Sequence, residues 1–267
     1  MSLLPETLAD GERADFVQSL AKGLAVIEAF GADSPAMTLS EAARRTGLSR
    51  AAARRLLLTL CRLDYAETDG RLFRLRPKVL NLGFAFLQAE GTWSLAQPYM
   101  AELVEQIHES CSAAVLDGRD IVYVARVPTQ TRIMSISLDI GSRLPAHATS
   151  LGRALLAGLD EARLDAFIAT LVPLPRYTPH SVTDAGELKR RIADVRRLGY
   201  SIVDQELELG LRSIAVPLRG PDGRVVAALN IGVQASRRTI DDLRRQILPP
   251  LKETAQRISA SLGARPA

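Results

Sequence analysis

Two predicted helices separated by a glycine turn constrain this sequence more than any other feature does. Thr38 is followed three residues later by Glu41, the spacing of a capping box that closes the first turn of a helix. The short helix that this box opens ends at Gly47, and Ser49 caps a longer helix that extends to about Leu63. Helix, glycine turn and helix in this order are typical of a helix-turn-helix motif.

The second helix of this pair has a basic side and an apolar side. Arg50, Arg54 and Arg55 lie on one side of it, and the leucines among residues 56–63 lie on the other. Ala51 and its alanine neighbours are small, so the start of the helix can approach a major groove closely. This pattern predicts a recognition helix.

A basic hairpin is predicted directly after that helix. β-rich stretches flank Asp69-Gly70, a strong short-range hairpin signal, and Arg71 and Arg74 lie on its tip and return strand. A further amphipathic helix is predicted before the motif, over about residues 17–30. The segment is therefore predicted to be a winged helix-turn-helix.

Charge is concentrated in this same segment. Residues 38–78 carry ten basic and four acidic side chains, a net charge of +6 in a chain of +4, so the remainder sums to −2. A charge cluster by itself can be a solvated surface, but caps, turn, helix and hairpin agree here on double-stranded DNA as the partner. The candidate DNA contacts are Thr38, Ser49, Arg50, Ala51, Arg54, Arg55, Arg71 and Arg74.

Length and composition predict more than one domain. The chain has 267 residues, 47% hydrophobic and 24% charged, as in soluble globular proteins. No apolar run approaches the ~18–20 residues of a membrane helix, so we expect a cytoplasmic protein that does not bind membranes. Two cysteines and three histidines without diagnostic spacing predict no disulfide framework, metal site or cofactor, and the cysteines are expected to be buried.

The fold class expected is α+β, in four segments. Residues 1–15 form a flexible arm, 16–77 the winged helix-turn-helix, 78–92 a linker helix, and 93–264 an α/β domain with an antiparallel sheet. Residues 79–87 are apolar on almost every side, so this helix needs a partner. It is either a core helix of the C-terminal domain or a contact between the two chains of a homodimer.

Alternating apolar patterns and turn residues predict the elements of the C-terminal domain. Helices are expected from Ser94, at 151–159, 161–171 and 187–198, and at 240–262 with a kink at Pro249-Pro250. Strands are expected at residues 113–116, 121–127, 133–140, 200–206, 213–218 and 225–233.

No catalytic signature is found, so we expect a protein that is not an enzyme. There is no GxSxG elbow, no Walker loop and no GxGxxG after a strand. Asp204, Glu206 and Glu208 alternate along a strand end and could act as general acid and base. An edge paired with arginine is the alternative, with Arg212 as a partner.

Ligand binding is better supported, by residues 141–157. A strand is expected to end at Gly141, and Thr149 or Ser150 caps the helix that follows, so its first amides could bind a small carboxylate. Gly152 permits close approach of a backbone, either to a ligand or to the sheet.

Residues 18–27, QSLAKGLAVI, and 38–49, TLSEAARRTGLS, resemble the start of an IclR-type transcriptional regulator. Residues 141–157, 209–218 and 222–231 are similar to the effector-binding domain of that family, so the resemblance spans about residues 17–262. It implies a GAF/profilin-like C-terminal domain, a linker helix that takes part in dimer contacts, and an effector pocket between the sheet and the helix after the loop at 144–152. Residues 131–141 resemble the branch that regulates protocatechuate, 4-hydroxybenzoate and β-ketoadipate catabolism.

The resemblance also implies which residues line the pocket. An aromatic acid or β-ketoadipate is the expected effector, with Arg132 or His147 as its counter-charge, although His147 could instead be a capped loop residue. Leu151 and Val203 differ from the residues of several relatives and disfavour a glyoxylate-type effector. The candidate effector contacts are Arg132, Ile133, Met134, His147, Ser150, Leu151, Val203, Leu211, Ser213, Asn230 and Gly232.

The function expected is a homodimeric, or tetrameric, DNA-binding transcriptional regulator whose operator binding responds to a small carboxylic acid. Two other functions remain open from the sequence. One is a small-molecule enzyme with an attached DNA-binding domain, and the other is a DNA-binding protein that needs no effector.

Overall fold

Among the residues that the structure describes, three short helices and a three-stranded sheet precede residue 77. The computed structural model describes residues 15–89, 92–129 and 138–263, and the chain divides into two compact units, residues 1–86 and 87–267. The elements of the first unit are α1 (Gln18–Glu28), β1 (Ala36–Thr38), α2 (Leu39–Thr46), α3 (Arg50–Arg62), β2 (Ala66–Thr68) and β3 (Leu72–Leu75).

The predicted helix-turn-helix and hairpin are confirmed in this unit, and the hairpin gains a third strand. Strand β1 pairs with β3, which also pairs with β2, and Met37 of β1 lies opposite Phe73 of β3 with both side chains buried. A strand of three residues is too short to show an alternating pattern, so the sequence did not reveal it.

The apolar periodicity of α1 gave the correct helix but did not identify its buried side. Ala25 and Val26 are buried, and Val26 belongs to the same apolar cluster as the α3 residue Leu57, whereas Leu20 and Leu24 remain 62% and 44% exposed. An apolar stripe of α1 therefore faces away from the core of this unit.

The linker helix α4 (Leu80–Ala89) follows a single 3-10 turn at Pro77–Val79. Leu80, Leu82, Phe84 and Phe86 are each about half exposed. This exposure contradicts the interpretation of the segment as a core helix.

The C-terminal unit is a helix-covered antiparallel sheet. Within the described residues the strands run in the order β6-β5-β4-β9-β8-β7, and every pair is antiparallel. Its elements are α5 (Thr92–Ile107), β4 (Cys111–Asp117), β5 (Asp120–Val127), β6 (Arg143–Pro145), α6 (Ser150–Leu156), α7 (Glu161–Ala169), α8 (Ala185–Leu198), β7 (Ser201–Asp204), β8 (Leu211–Arg219), β9 (Val225–Gln234), α9 (Ile240–Asp242) and α10 (Leu248–Gly263).

Separate apolar cores lie on the two faces of this sheet. Helices α5 and α10 cover one face, where Met100 and Leu251 pack with Ile231 of β9. Helices α6, α7 and α8 cover the other, where Leu151 and Ile192 are completely buried. None of the described helices is long and apolar enough to cross a membrane.

The predicted elements of this unit are largely confirmed, with three differences. Strand β6 was not anticipated. Of the strand expected at 133–140, residues 133–137 lie outside the described residues and 138–140 are not extended in a strand. The kink expected at Pro249-Pro250 takes the form of a π-helical turn, Leu243–Ile247, just before the prolines, which lack the N–H groups that continue an α-helical ladder.

Candidate nucleic-acid interface and ligand cavity

The capping box at the start of α2 forms as predicted. The Thr38 hydroxyl oxygen accepts a hydrogen bond from the Glu41 N–H at 3.3 Å, and Glu41 Oε2 accepts from the Thr38 N–H at 2.7 Å and from its hydroxyl at 2.8 Å. These bonds favour the ionised carboxylate and hold the pKa of Glu41 below its usual range. Gly47 ends the helix in the left-handed conformation, with a φ of 67°. The Thr38 hydroxyl therefore forms part of the N-terminal cap of α2.

Helix α3 presents several exposed arginines. Ser49 caps it by accepting from the Ala52 N–H at 3.2 Å, while Arg50, Ala51, Arg54 and Arg55 are exposed. Across the parts of the chain that the structure describes, no carboxylate lies within ion-pair distance of these arginines. Their guanidinium groups are thus available to phosphates and base edges.

The hairpin between β2 and β3 carries its arginines on a turn that Asp69 organises. Asp69 Oδ1 accepts from the N–H groups of Arg71 at 2.9 Å and Leu72 at 2.7 Å, which lowers the pKa of Asp69. Arg74 is half exposed and lies 3.4 Å from Asp69, while Arg76 pairs with Asp64 at 2.8 Å. Arg71 and Arg74 therefore project from the wing, and Arg74 has one long ion pair with Asp69, whereas Arg76 pairs with both Asp64 and Glu67.

A cavity of about 650 Å³ opens in the C-terminal unit, on the side of the sheet that α6 covers. Alternation along the strands explains its polar floor. Ala114, Ala215 and Ala228 pack beneath α6, and two residues away on the same strands Ser112, Ser213 and Asn230 line the cavity. Residues two apart face the same side of a sheet, so the floor turns from apolar to polar where helix cover ends.

Arg126 supplies a positive charge to this cavity. It lies opposite Ser112 in the β4–β5 register, and its Nη1 donates to the Ser112 hydroxyl at 3.1 Å. The side chain is half buried, and no carboxylate pairs with it among the described residues. Sequence reasoning missed Arg126, although it is the one charge within the apolar run of residues 121–127.

Glu206 lies in the wall of the same cavity and is neutralised by Arg153 of α6. The two side chains form a bidentate pair at 2.7 and 2.5 Å, and both are almost fully buried. Asp204 pairs with Arg212 at 2.8 Å, which confirms the prediction of arginine-paired carboxylates for these two positions.

Six predicted effector contacts line the cavity: Ser150, Val203, Leu211, Ser213, Asn230 and Gly232. The Ser150 hydroxyl is fully buried and has no hydrogen-bond partner among the described residues. Leu151 points instead into the core beneath α6. Arg132, Ile133 and Met134 lie outside the described residues.

His147 is a buried neighbour of the cavity rather than part of its described lining. It is 2% exposed and packs on Tyr177, with ring centroids 5.9 Å apart. Burial, and then the nearby Arg153 charge, lower the pKa of His147. Because His147 does not line the described cavity, its predicted role as a counter-charge gains no support from its position.

One of the three amides of the predicted anion site at the start of α6 is used by the helix cap. Thr149 is the cap, and its hydroxyl accepts from the Gly152 N–H at 3.1 Å, so that amide is already occupied. A Cβ on Gly152 would lie 2.0 Å from the backbone oxygen of Ala146. Gly152 thus admits the preceding loop, neither a ligand nor the sheet.

Comparison with known proteins supports both halves of this description. Residues 19–70 match the IclR helix-turn-helix domain, and residues 84–260 match the bacterial transcriptional regulator IclR C-terminal domain. The chain is 44% identical over 237 residues to a Pca regulon regulatory protein of Pseudomonas putida, an alignment covering 89% of this chain and 81% of that protein. It is 38% identical over 258 residues, covering 95% of each, to the p-hydroxybenzoate hydroxylase transcriptional activator of Acinetobacter baylyi.

A solved structure shares the fold. It is an IclR homologue from Microbacterium hydrocarbonoxydans complexed with 4-hydroxybenzoate, with a TM-score of 0.82 and 27% identity, covering 92% of this chain and 100% of that one. With a winged DNA-binding motif, a sheet-floored cavity and both family domains in place, the chain belongs to the IclR family of bacterial transcriptional regulators.

Proposed function

We propose that this protein controls genes of aromatic-acid catabolism and that a small aromatic carboxylic acid, bound in the cavity, modulates its binding to operator DNA. The observation that carries the proposal is Arg126, a cation in the cavity wall without a carboxylate partner among the described residues. An arginine in such a place favours a planar carboxylate ligand. Relatives that regulate Pca and p-hydroxybenzoate genes, and a structural neighbour that binds 4-hydroxybenzoate, support the same class of effector.

The other predicted contacts belong to this proposal as well. Arg132 stays a predicted second counter-charge, and β-ketoadipate stays an alternative to an aromatic acid. No enzymatic step is part of the proposed function, which we place in the cytoplasm.

A thermal-stability panel tests the effector. Protocatechuate, 4-hydroxybenzoate, β-ketoadipate, pyruvate and glyoxylate would each be added to the full-length protein. A ligand at 100 times its dissociation constant stabilises the folded state by about 2.7 kcal/mol. A selective shift by one aromatic acid is the expected result. The absence of a shift across the panel would contradict the proposal and favour a DNA-binding protein that needs no effector.

Control of DNA binding requires coupling between the two sites, and coupling is reciprocal. If the effector changes operator affinity by about 5- to 150-fold, operator DNA must change effector affinity by the same factor. Titrations of effector with and without a saturating operator duplex measure this factor, and equal affinities in the two titrations would contradict effector control.

We also propose a homodimer, with a tetramer as the larger alternative. The half-exposed leucines and phenylalanines of α4, together with the exposed stripe of α1, offer an apolar surface that a monomer leaves in water. The two winged helix-turn-helix units of one dimer would then contact two half-sites of an operator.

A further inference from the structure

The cavity has two chemically different ends. Arg126 lies on β5, and Glu206 follows the end of β7. The strand order places β4, β9 and β8 between them, so their backbones are four strand spacings apart, on the order of 19 Å measured along the sheet. A ligand that bridges the cavity therefore meets different chemistry at each end.

The Arg126 end carries a positive charge that no carboxylate pairs with among the described residues. A guanidinium group has five N–H donors, and one of them is used by the Ser112 hydroxyl. The remaining donors can bind both oxygens of a carboxylate, and half burial strengthens that pairing relative to water. The buried hydroxyls of Ser110 and Ser112 line the same end.

The Glu206 end suits a neutral hydroxyl instead. Arg153 donates to both Glu206 oxygens, and the Val182 N–H donates to Oε2, which fills three of about four acceptor positions of the carboxylate. One position on Oε1 remains for a donor. A second carboxylate there would face Glu206, whose only compensating charge among the described residues is already paired.

Ser150 adds a hydroxyl to this end. It precedes Arg153 by three residues on α6, so the two side chains share one side of the helix. Its hydroxyl is fully buried, lines the cavity, and has no partner among the described residues. A buried polar atom of this kind gains from a hydrogen bond to a ligand.

From these two ends we infer how the effector is oriented: its carboxylate binds Arg126, and a ring hydroxyl on the opposite side binds Ser150 and Glu206. The apolar side chains of Leu144, Val203 and Leu211 also line the cavity and offer contacts to the ring. The inference rests on the proposed function and adds a para-hydroxylated aromatic monoacid as the preferred class.

The carboxylate end is tested with a pair of ligands that differ in charge. Calorimetric titration of the full-length protein with 4-hydroxybenzoate and with neutral 4-hydroxybenzamide measures how much affinity depends on the carboxylate. Arg126→Met is expected to weaken binding of the acid by about 10- to 100-fold and of the amide by only a few-fold. Arg119→Met removes the same charge from an exposed turn and is expected to leave both affinities unchanged.

The hydroxyl end is tested with a second pair of ligands, 4-hydroxybenzoate and benzoate. Ser150→Ala is expected to weaken binding of 4-hydroxybenzoate by about 3- to 10-fold and to leave benzoate binding nearly unchanged. Ser201→Ala is the matched control, because Ser201 is also buried with an unpartnered hydroxyl but does not line the cavity.

Specific results would overturn the orientation. One is an equal loss of affinity for acid and amide in Arg126→Met. Another is a loss of affinity confined to the acid in Arg132→Met and absent from Arg126→Met. A third is an equal loss of affinity for 4-hydroxybenzoate and benzoate in Ser150→Ala. Arg126→Lys, which keeps the charge, separates misfolding from lost pairing, since it should retain part of the preference for the acid. If wild-type protein binds none of the aromatic acids, the proposed function falls and the orientation falls with it.

Discussion

Arg153 and Glu206 are buried charges that depend on each other. Their side chains are 2% and 5% exposed, and two short hydrogen bonds join them within the cavity wall. Removing either charge from water is unfavourable by several kcal/mol, which a bidentate partner offsets. The same pair fixes the position of Glu206 in the cavity wall.

We therefore expect Arg153→Met to destabilise the protein by about 3–5 kcal/mol, because it leaves Glu206 buried without a partner. The double variant Arg153→Met/Glu206→Gln should recover a large part of this loss. Urea unfolding of wild type, Arg153→Met and the double variant measures the loss of unfolding free energy and its recovery. A double variant that is less stable than Arg153→Met would contradict this account.

His147 should make stability depend on pH. Its pKa is lower in the folded state than the ordinary value of ~6.5, because burial disfavours the charged ring. Above that value both states are neutral and the contribution to stability is complete. As pH falls below it, the unfolded chain takes up the proton first, so the free energy of unfolding decreases until the folded pKa is reached.

The expected result is a decline in unfolding free energy from pH 7 to pH 5 that is smaller in His147→Gln than in wild type. The comparison variant is His180→Gln, which removes an exposed histidine and should keep the wild-type slope. Equal slopes for wild type and His147→Gln would refute the shift.

At the scale of elements, α3 and the wing offer arginines in two different settings. Arg54 projects from the exposed side of a helix whose other side packs through Leu57 and Leu60, so its position is rigid. Arg74 lies on a strand next to Asp69. The first setting suits reading of base edges, and the second suits phosphate contact.

Arg54→Ala should weaken specific operator binding by ~1–3 kcal/mol if the side chain reads a base. Arg74→Ala should weaken binding to all sequences alike and reduce the slope of log affinity against log salt by about one unit. Titrations with operator and unrelated duplexes at several salt concentrations separate the two effects.

Arg76→Ala is the matched wing control for that experiment, because Arg76 is paired with Asp64 and Glu67. It should change DNA binding less than Arg74→Ala does. If all three variants bind like wild type, the basic surfaces are assigned wrongly.

At the scale of the whole molecule, the apolar surface of α4 determines the predicted assembly. Phe84 and Phe86 are 48% and 49% exposed in one chain, and burial of the exposed half of such a side chain is worth about 1 kcal/mol. Several apolar side chains left in contact with water favour the association of two chains, which buries them.

Phe84→Asp should shift the protein from dimer towards monomer. Operator affinity should fall with it, because the two winged helix-turn-helix units are no longer joined in one dimer. Sedimentation velocity measures the first effect. Asn81→Asp places the same charge at an exposed polar position of α4 and should leave the assembly unchanged. A wild-type protein that sediments as a monomer would refute the proposed dimer.

Local sequence was sufficient for the N-terminal motif and most C-terminal elements. Thr38 with Glu41, Gly47 and Ser49 each act on the turn at one helix end, so capping chemistry alone located the ends of α2 and the start of α3. Apolar, β-rich runs bounded by turn residues identified β4, β5, β8 and β9, whose middle residues are buried because a core covers each face of the sheet.

The cavity chemistry was decided by tertiary structure. Arg126 meets Ser112 through strand pairing, and Arg153 meets Glu206 across 53 positions of the chain. His147 was a candidate counter-charge or a capped loop residue, and the fold buries it, which lowers its pKa. Which polar side chains share a cavity, and which of them keep a free charge, depends on long-range packing and desolvation that no local pattern encodes.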